Sequence, residues 1–251
     1  MAYIGITDYH LDRAIAQIYA DYGDVVSIVD KNKTLTKYGR NDNLGTTEET
    51  IWINGGNENY PTGNDIDTIT TTLGGGNNQE LVIEGHTKSG SDLTFVSQTA
   101  TLNGNTNVVL TTPLYRANRM FNNGATDLAG TVLVVDLGTS THLSVTGDVN
   151  QSLKCATSTS SEDYWIITGW SFGVNRQQTR SVDFKLKIRE FGKTFRARAL
   201  GSSNSAVGSN YIPFVEPLIM IPNSDMKVTG ISSGTGTGVE ATVFGYLAKI
   251  I

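Results

Sequence analysis

Polar and apolar residues alternate most cleanly from Val182 to Arg189. Val182, Phe184, Leu186 and Ile188 fall on one side, and Asp183, Lys185, Lys187 and Arg189 on the other. A period of two is that of a half-buried β-strand. After a turn at Gly192, Phe195, Ala197 and Ala199 continue the pattern opposite Arg196 and Arg198. Earlier in the chain, short runs of strand formers recur between turn residues. They are Thr50–Ile53, Ile66–Thr72, Leu81–Glu84, Leu93–Val96, Val108–Leu110, Thr131–Leu137 and His142–Val145. Asn54-Gly55-Gly56-Asn57, Leu73-Gly74-Gly75-Gly76-Asn77 and Lys88-Ser89-Gly90-Ser91 punctuate them as turns. Tyr164–Val174, Met226 with Val228, and Val239, Ala241, Val243 and Leu247 supply further strands. Strands about ten residues apart with glycine-rich turns indicate sandwiches or barrels.

Only one segment carries a helical period. Leu11, Ala14, Ile15, Ile18 and Tyr19 recur at three- and four-residue spacing, with Asp8 as N-cap and Gly23 as C-terminal stop. So short a helix must dock its stripe on something, either its own domain or a neighbouring subunit. Residues 31–47 lose all period and read as a linker or extended arm. The expected architecture is all-β: two antiparallel β-sandwich or jelly-roll-like domains with a short N-terminal helix and arm. The helix and arm take residues 1–45, the first β-domain 46–148 and the second 149–251. A single larger barrel is the rival arrangement.

Composition supports this reading. Apolar residues make up 38% and charged residues 17% of the 251, with 27 glycines, so short strands and turns suit the chain better than helices do. Ten Tyr, eight Phe and three Trp provide core material, which argues against disorder. The net charge of -5 argues against a general nucleic-acid-coating role. The single cysteine, Cys155, forms no intrachain disulfide and suits synthesis in a reducing cytoplasm. No secretory signal or membrane-spanning run is read in the sequence, so a membrane partner is not expected.

Candidate chemistry is sparse. His10, His86 and His142 show no metal-ligand spacing. Asp65 and Asp67 share a strand face but read as solvated turn residues, and Cys155 reads as a structural thiol. Neither Leu73–Asn77 nor Ser232–Gly238 has the lysine or following helix that a phosphate loop needs, so both read as turns. No cofactor, no metal and no catalytic site are expected. Arg116 and Arg119 are candidates for a clamp within the fold or between subunits. The basic strands from Arg176 to Arg198 suggest a solvated face, an acidic partner or, less favoured, nucleic acid. The expected partner interface comprises Leu11, Ile15, Ile18 and Tyr19 from the helix, and Arg180, Lys185, Lys187 and Arg189 from the basic face.

Several stretches together resemble a family of structural proteins encoded by marine tailed phages. They are Glu48-Glu49-Thr50-Ile51-Trp52, Asn64–Ile69, Glu84–Val96, Tyr115-Arg116-Ala117-Asn118-Arg119-Met120, Asn150-Gln151-Ser152-Leu153-Lys154 and the C-terminal strand. The resemblance covers most of the chain beyond residue 45 and carries no catalytic motif. It implies a virion surface protein of two β-domains, a head decoration or cement protein or a knob- or fibre-like attachment. Its partners would be the major capsid protein or other virion subunits, with a homo-oligomer such as a trimer as the assembled form. It would be made in the host bacterial cytoplasm and end on the outer surface of the virion. A tail or neck adaptor and a glycan-binding module are the alternatives.

Overall fold

The computed structural model describes residues 8–30, 34–71, 78–136, 140–174 and 180–251. The helix α1 (Asp8–Tyr22) is followed by β1 (Val26–Ile28), β2 (Leu35–Leu44) and β3 (Glu49–Thr50). Then come β4 (Ile66–Thr71), β5 (Glu80–Ser89), β6 (Asp92–Thr101), β7 (Val108–Leu114), β8 (Arg116–Asn122), β9 (Val132–Asp136) and β10 (Ser140–Val145). The last group is β11 (Ala156–Ser158), β12 (Asp163–Val174), β13 (Ser181–Glu190), β14 (Arg196–Asn204), β15 (Ser209–Met220), β16 (Ser224–Ser232) and β17 (Thr237–Ile250). The fold is all-β, with two antiparallel sandwiches and one short helix.

In the first sandwich a sheet ordered β10-β9-β4-β7 faces a sheet ordered β6-β5-β8. Ile66, Ile69, Val132 and Val134 from one sheet meet Leu81, Ile83 and Met120 from the other. In the second, a sheet ordered β1-β17-β12-β15 faces a sheet ordered β11-β16-β13-β14. Trp165, Trp170 and Phe172 of β12 pack there against Val182, Phe184 and Leu186 of β13. Those three β13 residues are fully buried while Ser181 and Asp183 are exposed, so the period-two reading of this strand holds. On β14, an edge strand, the pattern weakens: Ala199 is half-buried but Ala197 is exposed.

The arm expected at 31–47 is instead largely a strand. Residues 31–33 lie outside the described residues, but β2 pairs with β17 from Leu35↔Gly245 to Leu44↔Thr237. Its polarity hid it, because the places where large apolar residues would signal burial hold Gly39 and Asn41. Gly39 is required there: a Cβ would lie 2.3 Å from both the Cys155 nitrogen and the Ile51 oxygen. β3 likewise pairs with β16, through Thr50↔Thr229 and Glu49↔Gly230. The N-terminal segment therefore completes the second sandwich, and the chain crosses to the first only afterwards.

The helix docks within the chain. Leu11, Ala14 and Ile18 are buried against Val26, Tyr164, Ile166 and Ala248, on the outer face of the sheet holding β12 and β17. Gly23 (φ +75) ends it, its N–H donating to the Tyr19 carbonyl at 2.9 Å. The Asp8 side chain lies outside the described residues. Tyr19, expected in the buried stripe, is 62% exposed.

A polar seam between the sandwiches as the candidate functional site

The two sandwiches meet along a seam of buried charge. The outer face of the β6-β5-β8 sheet presents His86, Arg116 and Asn118 to β11, β13 and β16. Asp225 of β16 is fully buried at the centre. Arg116 donates to it from Nε (2.9 Å) and Nη2 (3.2 Å), Arg189 of β13 from Nε (3.0 Å), and Ser158 of β11 from its hydroxyl (2.7 Å). Arg116 Nη1 also donates to the carbonyls of Tyr115 and Pro61. One carboxylate thus ties together a strand of the first sandwich and two sheet neighbours of the second. Burying charge is costly unless every lone pair and proton finds a partner, and here the remaining capacity is filled by hydrogen bonds.

Aromatic rings interleave with these cations. The Arg116 guanidinium lies 3.9 Å from the Tyr115 ring centroid and 4.9 Å from that of Tyr60. Arg189 lies 4.3 Å from the rings of both Tyr60 and Phe195, and Lys227 is 4.8 Å from Phe195. Desolvated cation–ring contacts of this kind are each worth about 1–2 kcal/mol. Beside this stack, Asn118 accepts from the Ser158 backbone N–H (3.2 Å), locking β8 to β11. Lys154 pairs with Glu58, in the loop after β3, and reaches into the first sandwich to donate to the carbonyls of Ala117 (2.8 Å) and His142 (3.1 Å).

Burial shifts the titratable groups nearby. His86 is desolvated and lies near Lys37 and Arg116, so its pKa falls to about 4 although Asp225 opposes the shift. Lys37 of β2 is pulled down to about 7, by burial first and then by Lys154 and Arg119. Its ammonium donates to the Asn118 carbonyl at 2.7 Å, across the seam. Burial pushes the Cys155 thiol up to about 12, which leaves it unreactive as a nucleophile and in keeping with a structural role.

The basic face expected to meet a partner is mostly engaged within the chain. Lys185 and Lys187 both bind Glu48, and Arg189 binds Asp225. Burial raises Glu48, but the hydrogen bonds from these two lysines outweigh it and hold the carboxyl at about 2. Arg180 lies against the β16–β17 turn, where a Cβ on Gly234 would sit 2.9 Å from its Nε. Lys193, Arg196 and Arg198 are exposed, while Arg176 lies outside the described residues. Of the helix residues proposed for the same interface, Leu11 and Ile18 are buried and Ile15 is partly buried against the chain's own core. Of the residues expected at a partner interface, Tyr19 is exposed and Leu11 and Ile18 are buried, while Ile15, Lys185, Lys187 and Arg189 are half-buried with partners inside the chain.

Arg116 is the internal clamp that its setting suggested. Arg119 is not: its nearest carboxylate, Glu84, is 3.9 Å away and its side chain is 47% exposed. Asp65 accepts from the Gly63 N–H in a turn, and Ser232–Gly238 is a turn closed by the Ser232 and Thr237 hydroxyls. Leu73–Asn77 lies outside the described residues. Among the described residues no three His, Cys, Asp or Glu side chains are placed to hold a metal. Sequence reasoning missed Asp225, Tyr60, Glu58 and Lys37. Asp225 and Lys227 alternate with Met226 and Val228, which reads as a solvent face; that face is covered by the other sandwich.

No family model matches the chain, and no curated protein matches its sequence. Among solved structures, particles of infectious bursal disease virus align at very low similarity. The Gt strain gives a TM-score of 0.23 at 13% identity, covering 88% of this chain and 74% of that chain. The Gx strain gives 0.26 at 14%, covering 89% and 73%, and the VP2 subviral particle 0.20 at 14%, covering 90% and 79%. Likenesses of this size carry no argument about fold or function.

Proposed function

We propose that this chain is a non-enzymatic structural component of a tailed-phage virion, seated on the outside of the capsid as a decoration or cement protein. The observation that carries this reading is where the family-like stretches meet. Arg116 and Asn118 come from one of those stretches and Lys154 from another, and all three make hydrogen bonds from one sandwich to the other. Part of the resemblance thus lies in what fastens the two sandwiches into one body, a property that suits a shell component.

Contact with the shell is assigned to the outward face of α1. Tyr9 is 68% exposed and Tyr19 62%, with Val25 and Val29 exposed just beyond the helix, while Tyr22 leans on the Tyr164 ring. Tyrosines give large contact area at low entropic cost, which suits a weak contact repeated over many equivalent sites. The test is cosedimentation with empty capsids. The intact chain should bind saturably, and Tyr9→Ala with Tyr19→Ala should weaken binding by about tenfold or more, as loss of a central anchor does. Unchanged binding of the double variant would remove the helix from the contact. Failure of the intact chain to bind would remove the decoration role in favour of a tail or neck position.

A further inference from the structure

The seam is not closed along its whole length. Where β5, β6 and β8 face β2, β11 and β12, the walls part to leave a cleft of about 580 Å³. That is within the range of sites for small molecules. The chemistry of its lining is mixed in a particular way. Phe95 of β6, 51% exposed, offers an aromatic face at the rim, held edge-on by His86 with ring centroids 5.8 Å apart. Trp165 and Asp163 lie deeper; the Trp165 indole N–H is buried with no hydrogen-bond partner in the protein, and one Asp163 carboxylate oxygen has only the Lys249 ammonium, 4.0 Å away. Two cations line the same space. Lys37 gives one hydrogen to the Asn118 carbonyl, and an ammonium has two more. Arg119 rests over the Phe121 ring, 4.5 Å from its centroid, and its carboxylate neighbour Glu84 is 3.9 Å away, beyond hydrogen-bond reach. Lys154 also lines the cleft, but its charge is met by Glu58.

We propose that this cleft binds an acidic saccharide. The carboxylate is taken by Lys37 and Arg119, an apolar sugar face rests on Phe95, and hydroxyls satisfy the Trp165 N–H and the Asp163 oxygen. A neutral sugar would leave two cations poorly compensated. A simple carboxylate would leave the aromatic face and the unpartnered Trp165 donor unused. The assignment does not rest on the virion role and survives its failure.

The groups that face Lys37 give the site a pH signature. Burial, Lys154 and Arg119 lower its pKa to about 7, Glu84 and Cys155 act the other way, and His86 across the cleft is neutral above about 4. A bound carboxylate favours the charged amine, so affinity should fall as pH rises through 7.

The experiment is calorimetric titration of the full chain with trigalacturonate, maltotriose and glutarate as probes. Trigalacturonate should bind saturably, and the other two should bind about tenfold more weakly or worse, as expected when a charge-assisted contact or the ring face is lost. Phe95→Ala should lose about tenfold with an unchanged melting temperature, since the ring is half in solvent. Lys37→Gln should lose as much and should abolish the pH dependence. Absence of trigalacturonate binding, equal binding of maltotriose or glutarate, or full affinity in Phe95→Ala would each overturn the proposal.

Discussion

Asp225 shows why single residues matter in this molecule. It is fully buried, and two guanidiniums from different strands converge on it, so its removal strands two charges while removal of either arginine strands none completely. Breaking a buried pair costs about 3–5 kcal/mol, because the abandoned charge keeps its desolvation penalty. Asp225→Asn should therefore destabilise the chain by about 3–5 kcal/mol in urea denaturation. Arg116→Met should cost less, about 2–3 kcal/mol, since Arg189 stays on the carboxylate. The reverse order would mean that Arg116 acts through its rings and carbonyls, with Asp225 secondary.

Among the elements, β2 carries the largest structural consequence for its modest sequence. It covers the edge of β17 over eight paired positions and places the buried Leu44 in the second core. Its sequence gives little sign of this. Gly39 is buried because the strand passes close over backbone there, and Asn41 because its amide donates to Glu49 and accepts from the Asn43 N–H. β13, by contrast, was legible because Val182, Phe184 and Leu186 enter an ordinary apolar core. The same difference runs through the site: Arg116 could be suspected from its type, but Asp225 could not, because its strand face is buried by a second sandwich and not by apolar side chains. β15, with Pro213 and Pro217 and a break in register opposite Ile167 and Gly169, also lacked a readable period.

A consequence follows for truncation. Removal of residues 1–45 deletes α1, β1 and β2 together, which bares the β17 edge and the Tyr164–Ile166 surface. Exposed edges of this kind invite aggregation. The truncated chain should lose cooperative thermal unfolding and bind a hydrophobic dye. A melting temperature within about 4 °C of the full chain, a shift worth less than roughly 2 kcal/mol at this size, would show that the segment is dispensable.

At the scale of the whole molecule, the seam decides what the chain can do. Two sandwiches joined by a flexible linker would move against each other. Here Asp225 with its two arginines, Asn118 with Ser158, and Lys154 with the Ala117 and His142 carbonyls fix their relation, while α1 keeps Tyr9 and Tyr19 outward. Such a body presents one constant outer surface. The virion role makes the most direct demand on position. An electron-density map of the intact particle should show this two-sandwich body at many equivalent sites over the outside of the shell, with α1 against it. Copies confined to a single vertex or to the tail, or no copies in the particle at all, would contradict the account.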